Sequence, residues 1–310
     1  MANARRLYRL QLGLGALGLL ATALALVVAL TRVRLNRPSL EAIGEACRQM
    51  GLTDISPGSL LVLLLGSVSL AVVALAFRSA FGQLRARRRF LRGLRVIGRA
   101  DAGGYETLIV DDPRPQAFCT GLLRPHIYVS RGTLDLLDDD ELAAVAAHEA
   151  HHAQRRDPLR MFISRTLSDA LFFMPVLGRL ADRYAALAEF AADEAAVRRG
   201  GSRRPLAAAL LAFEETPNAV VVGIAPERVD HLLGRTALWQ LPGALLAGAA
   251  VTVAGLLALV LHTADATGHA SVELPVLLAQ ACMGGMAVLP ALLGAVALLA
   301  SRRALARRDR

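Results

Sequence analysis

The chain has 310 residues, is 55% apolar and carries a net charge of +9, with arginine supplying every basic residue. A soluble globular domain runs at about 45–50% apolar. The surplus here, at a mean hydropathy of +0.45, is concentrated in uncharged stretches, which excludes both a soluble single-domain chain and a disordered one. Those stretches are Leu10–Thr31, Leu60–Phe77, Thr236–Thr263 and Leu274–Ala300. A bilayer core of ~30 Å needs about 20 helical residues, so each is long enough to span it, the second only just.

In chain order, the first stretch follows Arg5, Arg6 and Arg9. It is longer than a signal-peptide core and is followed by a second span, so it reads as a retained helix. The expected layout is an N-terminal hairpin over 1–77, with spans about 10–31 and 60–77. A domain over 78–235 follows, then a C-terminal hairpin over 236–310, with spans about 238–262 and 274–300 and a basic tail. Eight arginines follow the second span within residues 78–99, five lie in the tail, and none lies in the 264–273 loop. Positive-inside asymmetry therefore predicts a multi-pass cell-membrane protein with a cytoplasmic 78–235 domain, its arginines facing anionic headgroups of the bilayer. Basic residues that flank spans without interleaved aromatics argue against direct nucleic acid binding. Cys47, Cys119 and Cys282 are far apart with no C-x-x-C pair, so neither a disulfide framework nor a zinc knuckle is expected. Cys119 reads as a lone strand cysteine.

The central domain opens with strand patterns at 106–110, 116–121 and 126–130, with Gly121 to Pro125 as the turn between the last two. Asp138 with Glu141 forms a capping-box signature for a helix that runs to about Arg156 and is stopped by Pro158. A second helix spans Arg179 to Arg199 and ends at Gly200-Gly201. The apolar segment 159–178 is interrupted by Arg160, Arg165 and Asp169, and reads as an interfacial or core helix rather than a fifth span.

Within the first of these helices lies His148-Glu149-Ala150-His151-His152, an H-E-x-x-H match. Residues at i and i+4 are about 40° apart around a helix, so His148 and His152 project from one face and can grip one metal ion. Glu149, one residue along, is placed to take a proton from the attacking water without being a ligand. Neutral imidazoles suit Zn²⁺, which lowers the pKa of its water to about 7. A catalytic zinc needs a third protein ligand. The downstream helix offers Glu189 and Asp193 on one face, with Glu189 completing a His₂Glu set and Asp193 fixing a ligand histidine's tautomer. Glu194 is a weaker alternative third ligand, since it faces away from Asp193. His151 points about 100° from His152 and is expected beside the site or in solvent.

The run Ala117-Phe118-Cys119-Thr120-Gly121, then Ile127 to Gly132, then His148–His152 with Arg155-Arg156-Asp157-Pro158, resembles the BlaR/MecR membrane peptidase family. Those are gluzincins related to HtpX proteases and CAAX prenyl proteases. The resemblance covers about residues 85–235. It implies an α-helical integral membrane protein with a cytoplasmic α+β zincin domain and a zinc metalloendopeptidase activity. By it, His148, His152 and Glu189 bind zinc, Glu149 is the general base and Asp193 supports a ligand. Arg228, in Ala225-Pro226-Glu227-Arg228-Val229, matches an arginine that helps bind the developing oxyanion, although the histidine that related groups place before it is missing. Only ten residues follow the last span, so β-lactam sensing is not expected to carry over.

The expected substrate is a protein or peptide, held as an added strand along His126, Ile127, Tyr128, Val129 and Ser130. A repressor-type transcription regulator, as in the BlaR/MecR group, and membrane-protein quality control, as in the HtpX group, are the two competing roles. A non-catalytic signalling protein with structural zinc is a third reading, against which the base Glu149 argues. Transport would want charged residues inside the spans, and those stretches have no Asp, Glu, Lys or Arg.

Overall fold

A computed structural model describes residues 2–34, 57–215, 243–266 and 272–273. The chain divides into two units, Met1–Leu20 with Ala71–Ala254 and Ala21–Leu70 with Gly255–Arg310. Helix α1 covers Ala2–Arg32 and ends in a two-residue strand β1, Val33–Arg34; α2 runs unbroken over Pro57–Gly93. The boundary expected at 77/78 thus falls inside a continuous helix. Three described helices are long and apolar enough to cross a membrane, over Ala4–Thr31, Leu60–Gly93 and Gly243–Thr263. The fourth expected span, 274–300, lies outside the described residues, as does Arg228.

The smaller unit is held by small side chains. Ala25, Leu65 and Val260 form one buried cluster and Ala29 with Val62 another. The Ser69 hydroxyl donates to the Leu65 carbonyl at 2.7 Å and lies 3.0 Å from the Thr22 carbonyl. Close backbone approach through small residues, with hydroxyls bonded to carbonyls, is how apolar helices associate without a hydrophobic driving force.

The larger unit carries a four-stranded sheet of order β2-β3-β5-β4. Its strands are β2 Val96–Ala102, β3 Tyr105–Val110, β4 Ala117–Thr120 and β5 His126–Ser130. β5 is parallel to β3 and antiparallel to β4. Three of these strands fall where alternation predicts them. β2 does not, because its inward residues Gly98, Ala100 and Ala102 are small and give little apolar contrast against the outward Arg99 and Asp101. Around the sheet lie α3 Arg131–Leu136, α4 Asp139–Arg155, α5 Asp157–Ala170, α6 Val176–Gly200 and α7 Arg204–Glu215. α8, Gly243–Ala266, and the short strand β6, Val272–Glu273, which pairs in parallel with β1, complete the described chain.

Helix α4 is the organising element. Its capping box forms as the sequence predicts, Glu141 N donating to Asp138 Oδ1 at 2.8 Å and Asp138 N to Glu141 Oε2 at 3.1 Å. Ala150 packs against Ile127 and Val129 of the sheet, while Ala144 and Ala147 pack against Ala196, Leu206 and Leu210. Alanine on both faces lets a sheet on one side and helices on the other approach closely. The remaining face carries the histidines.

The end of α4 differs from expectation. It stops at Arg155, and Arg156 takes the left-handed conformation (φ 54°, ψ 42°). Pro158 stands in the first turn of α5, where its missing N–H removes no helical bond. The turn Gly121–Pro125 joins β4 to β5 as predicted, and Gly121 sits at φ 138°, where an added Cβ would meet the Arg124 carbonyl oxygen at 2.2 Å. Gly121→Ala should therefore destabilise the domain by roughly 1–3 kcal/mol, read as a lowered thermal midpoint of the purified protein. An unchanged midpoint would show that the turn relaxes freely.

Candidate metal centre and active site

His148 and His152 leave α4 on the face toward α6, where Glu189 and Asp193 stand one turn apart. The facing atoms make a small triangle. His148 Nε2 lies 3.3 Å from His152 Nε2. Glu189 Oε2 is 3.4 Å from the first and Glu189 Oε1 is 3.4 Å from the second. In a tetrahedral zinc site with ligand bonds of about 2.0–2.1 Å, ligand atoms stand about 3.3–3.4 Å apart. Each nitrogen faces its own Glu189 oxygen at that spacing, and one ligand atom from each of the three residues lies within 4.8 Å of the others.

The outer nitrogens are held too. His148 Nδ1 lies 3.0 Å from Asp193 Oδ1, and His152 Nδ1 lies 3.0 Å from Asp157 Oδ2. Each carboxylate favours the Nδ1–H tautomer and so leaves a lone pair on the Nε2 atoms that face Glu189. Asp193 is fully buried and Asp157 is 1% exposed. Tyr184 donates to Asp157 Oδ1 at 2.7 Å, which fixes the second oxygen of that carboxylate.

The electrostatics show what the cluster lacks. Burial favours neutral imidazoles, yet the acids beside them win: His148 is raised by Asp193 and Glu189, and His152 is raised to about 10 by Asp157 and Glu189. Burial likewise favours a neutral Glu189, and the two histidines instead hold its carboxyl far below the usual range. Asp157 is lowered against its own burial by His152 and Tyr184. Three carboxylates crowd two imidazoles, and the site calls for positive charge. A divalent cation meets that demand while the imidazoles stay neutral.

Of the other residues singled out by sequence, Glu149 is half-buried, and among the described residues nothing hydrogen-bonds or ion-pairs with its carboxylate. Glu194 faces outward, paired with Arg198 at 3.5 Å, so it does not compete with Glu189. His151 is buried rather than solvated. Burial, with Arg155 and His152 near it, lowers it to about 4, and its Nε2 has no hydrogen-bond partner among the described residues. Cys119 is half-buried on β4. Burial, then the fields of Glu149 and Asp157, push its thiol up to about 12, and it is not in the group formed by His148, His152 and Glu189.

The strand expected to hold substrate needs correction. His126, Ile127, Tyr128, Val129 and Ser130 form β5, whose two edges are already paired with β3 and β4. No ladder is left for an added strand. The outer strand beside α4 is β4, Ala117–Thr120.

Comparison with known proteins agrees with this geometry. Residues 82–198 match the family model for Peptidase family M48. That segment begins in α2 and ends in α6, so it takes in the whole sheet, both histidines, Glu189 and Asp193. The chain is also 38% identical over 79 residues to a Protease HtpX homolog of Acidiphilium cryptum, a match spanning 25% of this chain and 28% of that protein. The Protease HtpX homolog of Salinibacter ruber is 38% identical over 79 residues, spanning 25% and 29%. That of Aquifex aeolicus is 37% identical over 78 residues, spanning 24% and 26%. The match thus covers less than a third of the length of these relatives. These similarities support the M48 metallopeptidase family for this segment.

Asp157 and Tyr184 are the residues that sequence spacing misses. On an unbroken helix Asp157 would stand about 140° around from His152. Only the left-handed Arg156 swings it back beneath the ring. Asp157→Asn should weaken zinc binding by about 10–100-fold, measured by competition with a chromophoric chelator. Tyr184→Phe should also weaken it, since it removes one hydrogen bond to a carboxylate, about 1.5–3 kcal/mol. Equal zinc affinity in Asp157→Asn and wild type would remove Asp157 from the site.

Proposed function

We propose that this chain is a membrane-embedded zinc endopeptidase that hydrolyses peptide bonds at the cytoplasmic face of the cell membrane. The observation that carries this is the triangle of His148, His152 and Glu189 at zinc-ligand spacing, with both outer ring nitrogens on carboxylates and an unengaged glutamate beside it. In this reading those three residues hold Zn²⁺. Bound there, the ion supplies a Lewis acid that polarises the scissile carbonyl and acidifies water.

The chain's own residues do the rest. Glu149 takes the proton of the attacking water and passes it to the leaving amine nitrogen. Asp193 and Asp157 keep the imidazoles in their ligating tautomer. The substrate backbone lies along β4, the outer strand, so the scissile bond passes beside α4. Arg228 is carried as the residue that binds the developing oxyanion, on the strength of the resemblance alone.

Two roles fit this chemistry. Regulatory cleavage of a repressor-type or signalling protein rests on the BlaR/MecR-like Arg155-Arg156-Asp157-Pro158 run. Membrane-protein quality control rests on the similarity to HtpX homologues. Proteomes of wild-type and Glu149→Gln cells separate them. One accumulating regulator supports the first role, and a broad set of membrane proteins supports the second.

Glu149→Gln should retain zinc and fold but lose activity by at least about 100-fold, because an amide cannot accept the proton. Cleavage at the wild-type rate would rule out this mechanism. The cytoplasmic placement rests on the arginine asymmetry. Alkaline phosphatase, active only outside the cytoplasm, should be active when fused after Ser39 and Thr267 and inactive after Gly103 and Gly200. Activity at Gly200 would put the site on the other side of the membrane.

A further inference from the structure

Helix α1 carries a polar residue inside its apolar run. Gln11 is fully buried. Its Nε2 donates to the Leu177 carbonyl at 3.1 Å and the Ser164 carbonyl at 3.3 Å, and its Oε1 accepts from Ser164 Oγ at 2.9 Å. Further along the same helix face, a Cβ on Gly15 would lie 2.9 Å from Leu167 Cδ1. One on Gly18 would lie 2.9 Å from Leu171 Cδ1 and 3.0 Å from Met174 Sδ. Positions 11, 15 and 18 therefore meet 164, 167 and then 171 with 174. α5 runs alongside α1 in the same direction, pressed against it through glycines.

This contact turns α1 into a depth gauge. Its uncharged run begins at Leu10, and at about 1.5 Å per residue Gly18 lies about 12 Å along it. One leaflet of a ~30 Å core is about 15 Å deep. Side chains in contact with Gly18 share its depth. A second contact gives a shallower depth with the same direction. Ser79, just past the last apolar residue of the 60–77 run, donates to Asp169 Oδ2 at 2.6 Å, and Gln83, one turn farther on, bonds Thr166 at 3.1 Å. By this contact Asp169 lies near the end of the apolar run, by the Gly15 and Gly18 contacts about 10 Å inside it, and by both the chain beyond Asp169 continues inward.

That continuation, residues 170–178, contains no charged residue. Its turn satisfies backbone groups internally, with Leu171 N bonded to Leu167 O at 3.0 Å, Met174 N to Leu171 O at 2.8 Å and Leu177 N to Met174 O at 3.0 Å. Phe172 is nonetheless 54% exposed, edge-on to half-buried Phe173 at 5.5 Å between ring centres.

We propose that the α5–α6 turn, Leu171 to Pro175, is inserted in the acyl region of the leaflet next to the peptidase domain, with Phe172 in contact with lipid. It enters and leaves on the same side, as a partial insertion and not a further span. The proposal rests on the reading of α1 as a membrane span, and the test separates the two. Full-length protein is reconstituted in 3:1 phosphatidylcholine–phosphatidylglycerol vesicles whose phosphatidylcholine carries bromine at acyl carbons 6 and 7. Single-tryptophan variants are made in a Trp239→Phe background. These are Phe172→Trp, Phe173→Trp as a second report on the turn, Leu20→Trp on the exposed side of α1, and Leu136→Trp on α3, remote from the spans.

Leu20→Trp and Phe172→Trp or Phe173→Trp should lose at least half their emission to bromine, while Leu136→Trp keeps it. Quenching at Leu20 with turn tryptophans as bright as the Leu136 variant would overturn the insertion and leave the span reading standing. No quenching at any position would overturn both.

Discussion

Buried negative charge governs the centre of this molecule. Asp193, Asp157 and Glu189 converge on two imidazoles in a space from which water is largely removed, and like charges at such separation in a low dielectric strongly oppose one another. The arrangement persists only because each acid has a defined partner: Asp193 on His148, Asp157 shared by His152 and Tyr184, and Glu189 spanning both rings. Everything around the cluster serves to hold those partners still. α4 is rich in alanine so that β5 and α6 can both reach it. The caps at its two ends, a capping box at Asp138 and a left-handed residue at Arg156, set the register of the histidines and the position of Asp157.

How much of this was legible in the chain depends on whether the signal was local. The i, i+4 spacing of His148 and His152, the Asp138–Glu141 cap and the strands around 106–110 and 126–130 are properties of a few neighbouring residues, and they emerge where expected. Glu189 and Asp193 share a face because they share a helix. What the sequence hides are relations between elements. β5 reads as a strand, yet only the sheet order shows that it is internal and that β4 is outermost. β2 alternates only through Gly98, Ala100 and Ala102, residues too small to mark an apolar face in the sequence. Asp157 reaches His152 through a single backbone conformation that Arg156 adopts without being glycine, and no spacing rule anticipates that.

The membrane relation divides in the same way. Length and charge suffice to mark the spans. The role of 159–178 does not follow from its composition, since Arg160, Arg165 and Asp169 argue against a span and leave an interfacial or a core helix open. Its partners settle its place in the larger unit: Ser164 on Gln11, Leu167 on Gly15, Asp169 on Ser79. Asp157, the partner of His152, sits at the start of that helix and the apolar turn at its end.

Helix α2 has a mechanical consequence of its own. It is 37 residues without a break, a rod of about 55 Å. Near its far end Phe90 meets Phe118 of β4 edge-on at 5.1 Å, and Phe118 stacks on Tyr128 of β5 at 5.3 Å. Within the larger unit, the arginine-rich half of α2 therefore ends on a stack of three aromatic rings, Phe90, Phe118 and Tyr128, that braces the outer strand β4 against β5.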